Sequence, residues 1–341
     1  RPVLIAGSGV FYSDGAHALA EFVKAYAVPV LVPIWDRGSV DKPLPQFMGV
    51  VGAATGGPNV LADADLVILA GVHFDYRIGY LQPPAVQPHA KIVRIDIDPS
   101  ELCRGVKAQL TIQGDPRSVL SQLMEEARRR AISPHSSWLE EARGRRHRFQ
   151  ERCRAARSHA PRGLHALDII DALRDVLTDE TVLLVDGGNI GQWAHQVLFD
   201  RYPGHWLTCG ASAVVGWGLP AAMAARLLYP KRPIVLLSGD GAATFTIAEL
   251  ESASRQGLQF VVVVADDAAW GITLTEHVRA YGHGLASELG PVSFDRVAEA
   301  FGAHGVRVSS AEEMQSAIAG ALSDKRVTLI HAPIVRSNPE D

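Results

Sequence analysis

The sequence predicts an α/β chain made of two doubly wound, mostly parallel sheet domains in tandem. Short, almost continuous apolar runs recur in two blocks, with helical segments between them. Strands that are apolar on both faces and alternate with helices indicate a parallel sheet covered on both sides. An arginine-rich stretch with few large apolar residues separates the blocks. At 341 residues and 47% hydrophobic content, the chain is long enough to bury two cores.

The first block covers 1–130. Residues 3–6 form a strand, and Ser13-Asp14 can cap a helix running to about Tyr26. Strands follow at 28–32, 65–70 and 91–96, and a closing helix spans 115–126. Residues 131–162 are a helical linker. Their arginine clusters read as a solvated connecting helix rather than a nucleic-acid surface, because only Phe149 adjoins the charge and no regular aromatic interleaving accompanies it. The second block, 163–341, opens with an amphipathic helix over 166–177. A strand at 181–185, a helix at 219–222, a strand ending near Ser238, a helix over 247–256 and strands at 260–264 and 327–333 complete it.

Several functional classes are excluded. A formal net charge of −4 provides no global basic field for nucleic acid. No signal peptide is visible, and no apolar run is long enough to span a bilayer, so no membrane partner is expected. Cys103, Cys153 and Cys209 are few, odd in number and widely spaced, which suggests reduced thiols and a cytoplasmic protein. The 13 histidines are scattered, and no CxxC or HExxH pattern occurs.

The chemistry concentrates at two strand ends. Gly239-Asp240-Gly241 closes one predicted strand, and Asp266-Asp267-Ala268-Ala269-Trp270-Gly271 closes the next, one helix later. In parallel sheets, ligands gather beyond the carboxyl ends of the strands. Two oxygen ligands there, beside glycines that let a polyanion approach the backbone, suit Mg²⁺ holding a diphosphate. Either motif alone also reads as a turn carrying solvated acids. Together they resemble the signature of thiamine-diphosphate (ThDP) enzymes, in which Gly-Asp-Gly is followed by a helix, a strand and a pair of asparagines. The departure is Asp266-Asp267 in place of that pair. The resemblance implies Mg²⁺ ligands at Asp240, Asp267 and the backbone carbonyl of Ala269. It also implies cofactor contacts at Gly239, Gly241, Ala242, Trp270 and Gly271.

Two further segments carry the resemblance to acetolactate synthase-like members. Residues 186–193 form a glycine-rich turn feeding a predicted helix, whose free N–H groups attract phosphate. Gly188, Asn189 and Ile190 are therefore candidate cofactor contacts. Residues 213–222 are similar to the stretch where a large aliphatic side chain wedges beneath the cofactor, and a carbonyl two residues earlier accepts a hydrogen bond from its amino group. By that resemblance Val215 and Ala213 are the cofactor-activating positions among the catalytic candidates. The bend brings the amino group beside the carbon it must deprotonate. Val215 is smaller than the usual Met, Leu or Ile, and Ala242 stands where the family often has serine. Simple packing would also account for Val214 and Val215.

Residues 1–130 resemble the family's Rossmann-like central domain through 7–10, 71–77 and 94–99. In flavin-containing relatives these segments line FAD, which makes Gly7, Gly9, Gly71, Phe74, Asp75, Arg77, Asp96 and Ile97 candidate FAD contacts. Other relatives hold ADP, CoA or nothing there. Tyr12 occupies the third glycine position of a dinucleotide fingerprint, and Pro33, Val51 and His73 depart from the flavin-binding pattern. The family's catalytic glutamate lies on an N-terminal pyrimidine-binding domain that nothing here matches. The expectation is a piece that does not turn over alone, working as a homodimer or homotetramer through its ThDP domains. The implied reaction is carboligation of a 2-keto acid. Decarboxylation, cleavage of a 2-hydroxyacyl or oxalyl thioester, or a non-catalytic degenerate homologue are the alternatives. Thr275, Glu276, His277 and Tyr281 do not discriminate among them, and His277 and His283 read as acid–base groups or surface side chains.

Overall fold

The computed structural model describes residues 1–36, 39–40, 42–51, 56–159, 162–198 and 205–337, without the side chains of His159 and His205. The chain divides into two compact units, one mainly of residues 1–154 and the other mainly of 155–194 and 201–339.

The first unit carries β1 (Pro2–Ala6), β2 (Val30–Val32), β3 (Phe47–Val50), β4 (Leu66–Ala70), β5 (Lys91–Asp96) and β6 (Leu110–Gln113). They form one parallel sheet in the order β3-β2-β1-β4-β5-β6, with Leu4 beside both Val30 and Ile68. The order reverses at β1, which opens a crevice beyond the ends of β1 and β4. Strands β3 and β6 escaped the sequence reading. Both are short edge strands; β6 is largely exposed and polar in part, while β3 is buried throughout but only four residues long with a glycine inside it.

Two expectations in this unit need correction. Ser13-Asp14 does not cap the helix Ala16–Tyr26; Gly15 does. A separate short helix, Ser8–Tyr12, comes first, and Ser13 Oγ donates to the Val10 carbonyl at its end. The linker helix forms, as Ser136–His159, but one face of its first turns is buried rather than solvated. Trp138, Leu139 and Ala142 join the core beneath the first sheet, and Trp138 Nε1 donates to the Pro2 carbonyl at 2.9 Å. Average composition hid these residues, which gather on one helical face amid charge.

The second unit carries β7 (Val182–Asp186), β8 (His205–Thr208), β9 (Ile234–Gly239), β10 (Val261–Asp266), β11 (His304–Arg307) and β12 (Thr328–Pro333). Its parallel sheet has the order β11-β12-β10-β9-β7-β8. The order reverses at β7, whose neighbours are β8 and β9, giving this sheet its own crevice. Register places Asp186 beside Ser238 and Gly239 beside Ala265, so β7, β9 and β10 end on one rim. Strands β7 and β9 are buried throughout and β10 nearly so, as two-sided burial requires. The helix expected over 247–256 forms as Glu249–Arg255, and a further short helix, Asp240–Thr246, precedes it. At the start of that preceding helix the Asp240 carboxylate accepts from the Gly241 amide at 2.8 Å, satisfying a donor that a helix start leaves free. Among the described residues, no helix is long and apolar enough to cross a membrane.

Candidate functional site

Four acids, Asp186, Asp240, Asp266 and Asp267, lie at the carboxyl ends of the central strands of the second sheet. Asp186 closes β7 and is almost fully buried; its two oxygens accept from the amides of Gly216 at 3.1 Å and Gly218 at 2.9 Å. It thereby ties the 213–218 loop to the rim. Asp240 follows β9 at 4% exposure, and its Oδ2 accepts from the Ala269 amide at 3.1 Å. Asp267 follows β10 at 8% exposure, and its Oδ2 accepts from Asn189 Nδ2 at 3.3 Å. The turn after one strand is thus bonded to the acid of its neighbour.

Burial, and then the charge of Asp267, push the Asp240 carboxyl up to about 7, helped by a hydrogen bond shared with Asp266. Burial also raises Asp267, against the Asn189 amide and the nearby Arg336. Arg336 donates from Nε to the Asp267 carbonyl at 2.9 Å and from Nη2 to that of Ala268 at 3.0 Å. Asn189 Oδ1 is buried with no hydrogen-bond partner. Two buried carboxyls that resist ionisation, beside an orphaned amide oxygen, form an all-oxygen donor set suited to a hard divalent cation. No group of three or more His, Cys, Asp or Glu side chains able to hold a metal occurs among the described residues. Such a cation would need further oxygens from a ligand or water.

The predicted cofactor contacts gather around these acids. Gly271 lies so close that a Cβ there would stand 2.3 Å from Asn189 Nδ2 and 2.5 Å from Asp267 Oδ2. The Trp270 ring covers Gly241 and packs edge-on against Phe245 at 5.9 Å. Gly188 opens the helix Gly188–Val197 against Gly239. Val215 and the buried Ala242 both border Gly187, while Ala213 is exposed in a left-handed conformation. Ile190 is buried.

Residues 186–332 match the thiamine pyrophosphate enzyme C-terminal TPP binding domain, and residues 1–123 match the thiamine pyrophosphate enzyme central domain. The chain belongs to the acetolactate synthase-like family of thiamine pyrophosphate (ThDP) enzymes. It is 27% identical over 340 residues to the acetolactate synthase isozyme 2 large subunit of Escherichia coli K12, covering 98% of this chain and 60% of that protein. It is 28% identical over 343 residues to the acetolactate synthase large subunit of Parasynechococcus marenigrum, covering 98% and 54%. It is 27% identical over 351 residues to 2-hydroxyacyl-CoA lyase 2 of Caenorhabditis elegans, covering 99% and 54%. The chain thus spans little more than half the length of these relatives.

In the central domain of this ThDP-family chain, Gly7, Gly9 and Gly71 meet where β1 and β4 end. A Cβ on Gly7 would stand 2.2 Å from the Gly71 carbonyl oxygen. The amides of this turn are spent internally: Gly7 on Ala70, Gly9 on Gly71 at 3.0 Å, and Ser8 on Asp36 Oδ2 at 3.2 Å. Arg77 is fully buried, with Nη2 2.8 Å from Asp75 Oδ2 and Nη1 3.2 Å from Asp36 Oδ1. The Arg94 guanidinium lies 5.5 Å from the centre of the Phe74 ring. Asp96 is raised by burial, and Ile97 is 66% exposed.

Sequence reasoning assigned no role to Asp186, Arg336, Asp36 or His331. Only Asp186 left a local signal, an acid immediately before a double glycine. Of the open histidines, His277 Nδ1 lies 2.9 Å from Ser287 Oγ, and His283 is exposed.

Proposed function

We propose that this protein uses ThDP and Mg²⁺ to break or form a carbon–carbon bond at a 2-keto acid, with acetolactate synthase-like carboligation as the first reading. The observation that carries the proposal is the pair of buried carboxyls, Asp240 and Asp267, at adjoining strand ends beside the turn after β7. In this reading Asp240, Asp267 and the Ala269 carbonyl hold the cation, and diphosphate oxygens and water complete its shell. The helix start at Gly188–Ile190 receives the diphosphate. Gly239, Gly241 and Gly271 keep the approach clear, and Ala242 and Trp270 form the walls. Val215 supports the bent cofactor, and the Ala213 carbonyl accepts from its amino group. Bound ThDP supplies a nucleophilic carbon for the keto-acid carbonyl and an electron sink for loss of CO₂.

The proposal assigns the glutamate that faces the pyrimidine to a further domain, so the 341 residues alone bind without turning over. It assigns the working unit to a homodimer or homotetramer joined through the ThDP domains, in the cytoplasm. A second reading, cleavage of a 2-hydroxyacyl thioester, is favoured by the equal 27% identity to a lyase and a synthase. Product analysis with pyruvate against a 2-hydroxyacyl-CoA separates the two.

Flavin is left out of the proposal, because Arg77 and the turn amides already have internal partners. Flavin absorption from the purified full-length protein would reverse that choice. The primary test is calorimetric titration of ThDP into the full-length protein with and without Mg²⁺. Binding is expected only with the cation and is expected to vanish in Asp240→Ala; retention of full affinity in that variant would sink the assignment.

A further inference from the structure

Asp266, the acid that the site does not need as a ligand, is engaged at both oxygens. His331 Nε2 lies 2.8 Å from Asp266 Oδ2, and the Ala268 amide donates to Asp266 Oδ1 at 3.0 Å. His331 reaches it from β12, where it stands opposite Val264 of β10 and Arg307 of β11. Its ring is 1% exposed and packs edge-on against Phe294 at 5.3 Å. Nδ1 lies 3.1 Å from Asp295 Oδ1 and 3.2 Å from Arg307 Nη1. Nε2 faces the Asp266 carboxylate, and an ionised carboxylate only accepts, so Nε2 carries a hydrogen whichever neighbour Nδ1 serves.

We infer that His331 is a positioning residue that takes up the Asp266 carboxylate, so that the cation is left to Asp240 and Asp267. The connection runs through the backbone. Asp266 fixes the Ala268 amide, Ala268 sits at φ 54°, and the next amide, that of Ala269, donates to Asp240. Without His331, a buried carboxylate with one donor fewer would press on two others and loosen the turn that joins β10 to Asp240. The inference rests on the ThDP–Mg²⁺ reading given above.

The test is a double-mutant cycle on Mg²⁺-dependent ThDP binding by the full-length protein, read by calorimetry, with ligand-free melting measured for every variant. His331→Ala is expected to weaken binding about tenfold or more, as removal of a group that supports a metal ligand does. Asp266→Asn in that background is expected to recover most of the loss, and His331→Gln, which keeps one N–H donor, to lose less. Additive effects at the two positions, or a lowered melting point with unchanged affinity, would make His331 a packing residue and overturn the inference while the cofactor reading stands. No Mg²⁺-dependent binding by the unaltered protein would bring down both. If His331→Ala does not fold, the cycle is run with His331→Gln, where additivity counts against the inference equally.

Discussion

Asp267 shares Oδ2 with the Asn189 amide while Arg336 grips its carbonyl, so the side chain stays buried beside Asp240. A carboxylate in the place of the family's asparagine adds a negative charge next to a bound polyanion. At a separation of about 4 Å and an effective dielectric near 20, that pair costs roughly 4 kcal/mol, and the cation offsets part of it. Asp267→Asn is accordingly expected to tighten ThDP binding; unchanged or weaker binding in a calorimetric titration would refute this. Asp240 predicts a pH dependence. Its carboxyl is raised to about 7, above its value in the unfolded chain. A carboxyl raised on folding holds its proton more tightly in the native state. The stability it contributes is complete below the unfolded value and is lost as pH rises through about 7. The metal-free protein should therefore lose melting temperature between about pH 5 and pH 8 more steeply than Asp240→Asn does. Parallel slopes would show that the group does not titrate there. Arg77 gives a third case, since its Asp36 and Asp75 partners would be left unmatched by Arg77→Met. Removing one partner of a buried ion pair costs about 3–5 kcal/mol, measurable by urea unfolding.

Among the elements, the central strands were legible and the edges were not. Strands β1, β4, β7, β9 and β10 are apolar on both faces, and a run of valines or leucines announces each of them. Strand β6 faces solvent over most of its length, and β11 is half-buried and contains a glycine, so their sequences resemble loops. The helix Ser136–His159 shows the reverse error, because its charge concealed Trp138. That indole is buried, hydrogen-bonded to Pro2 and overlain by the Arg145 guanidinium at 5.6 Å. Trp138→Ala should lower stability by about 3–5 kcal/mol, whereas a solvated helix would lose almost nothing. Urea denaturation distinguishes the two.

At the level of the molecule, each unit places its candidate site beyond the carboxyl ends of its own parallel sheet, next to the strand where the order reverses. Among the described residues, the second unit sets the buried acids Asp186, Asp240 and Asp267 there beside the unpartnered Asn189 Oδ1. Saturating ThDP with Mg²⁺ should raise its melting temperature, because a ligand at about a hundred times its dissociation constant adds roughly 2.7 kcal/mol to the folded state. Fold class, family and the two acids at 240 and 267 could be read from the chain alone, because apolar runs and contiguous motifs are local patterns. The meeting of His331 with Asp266, 65 positions away, and of Arg336 with Asp267, 69 away, could not. Those partners are set by which strands lie side by side and in what register, and hydrogen bonding and burial across the assembled sheet decide that.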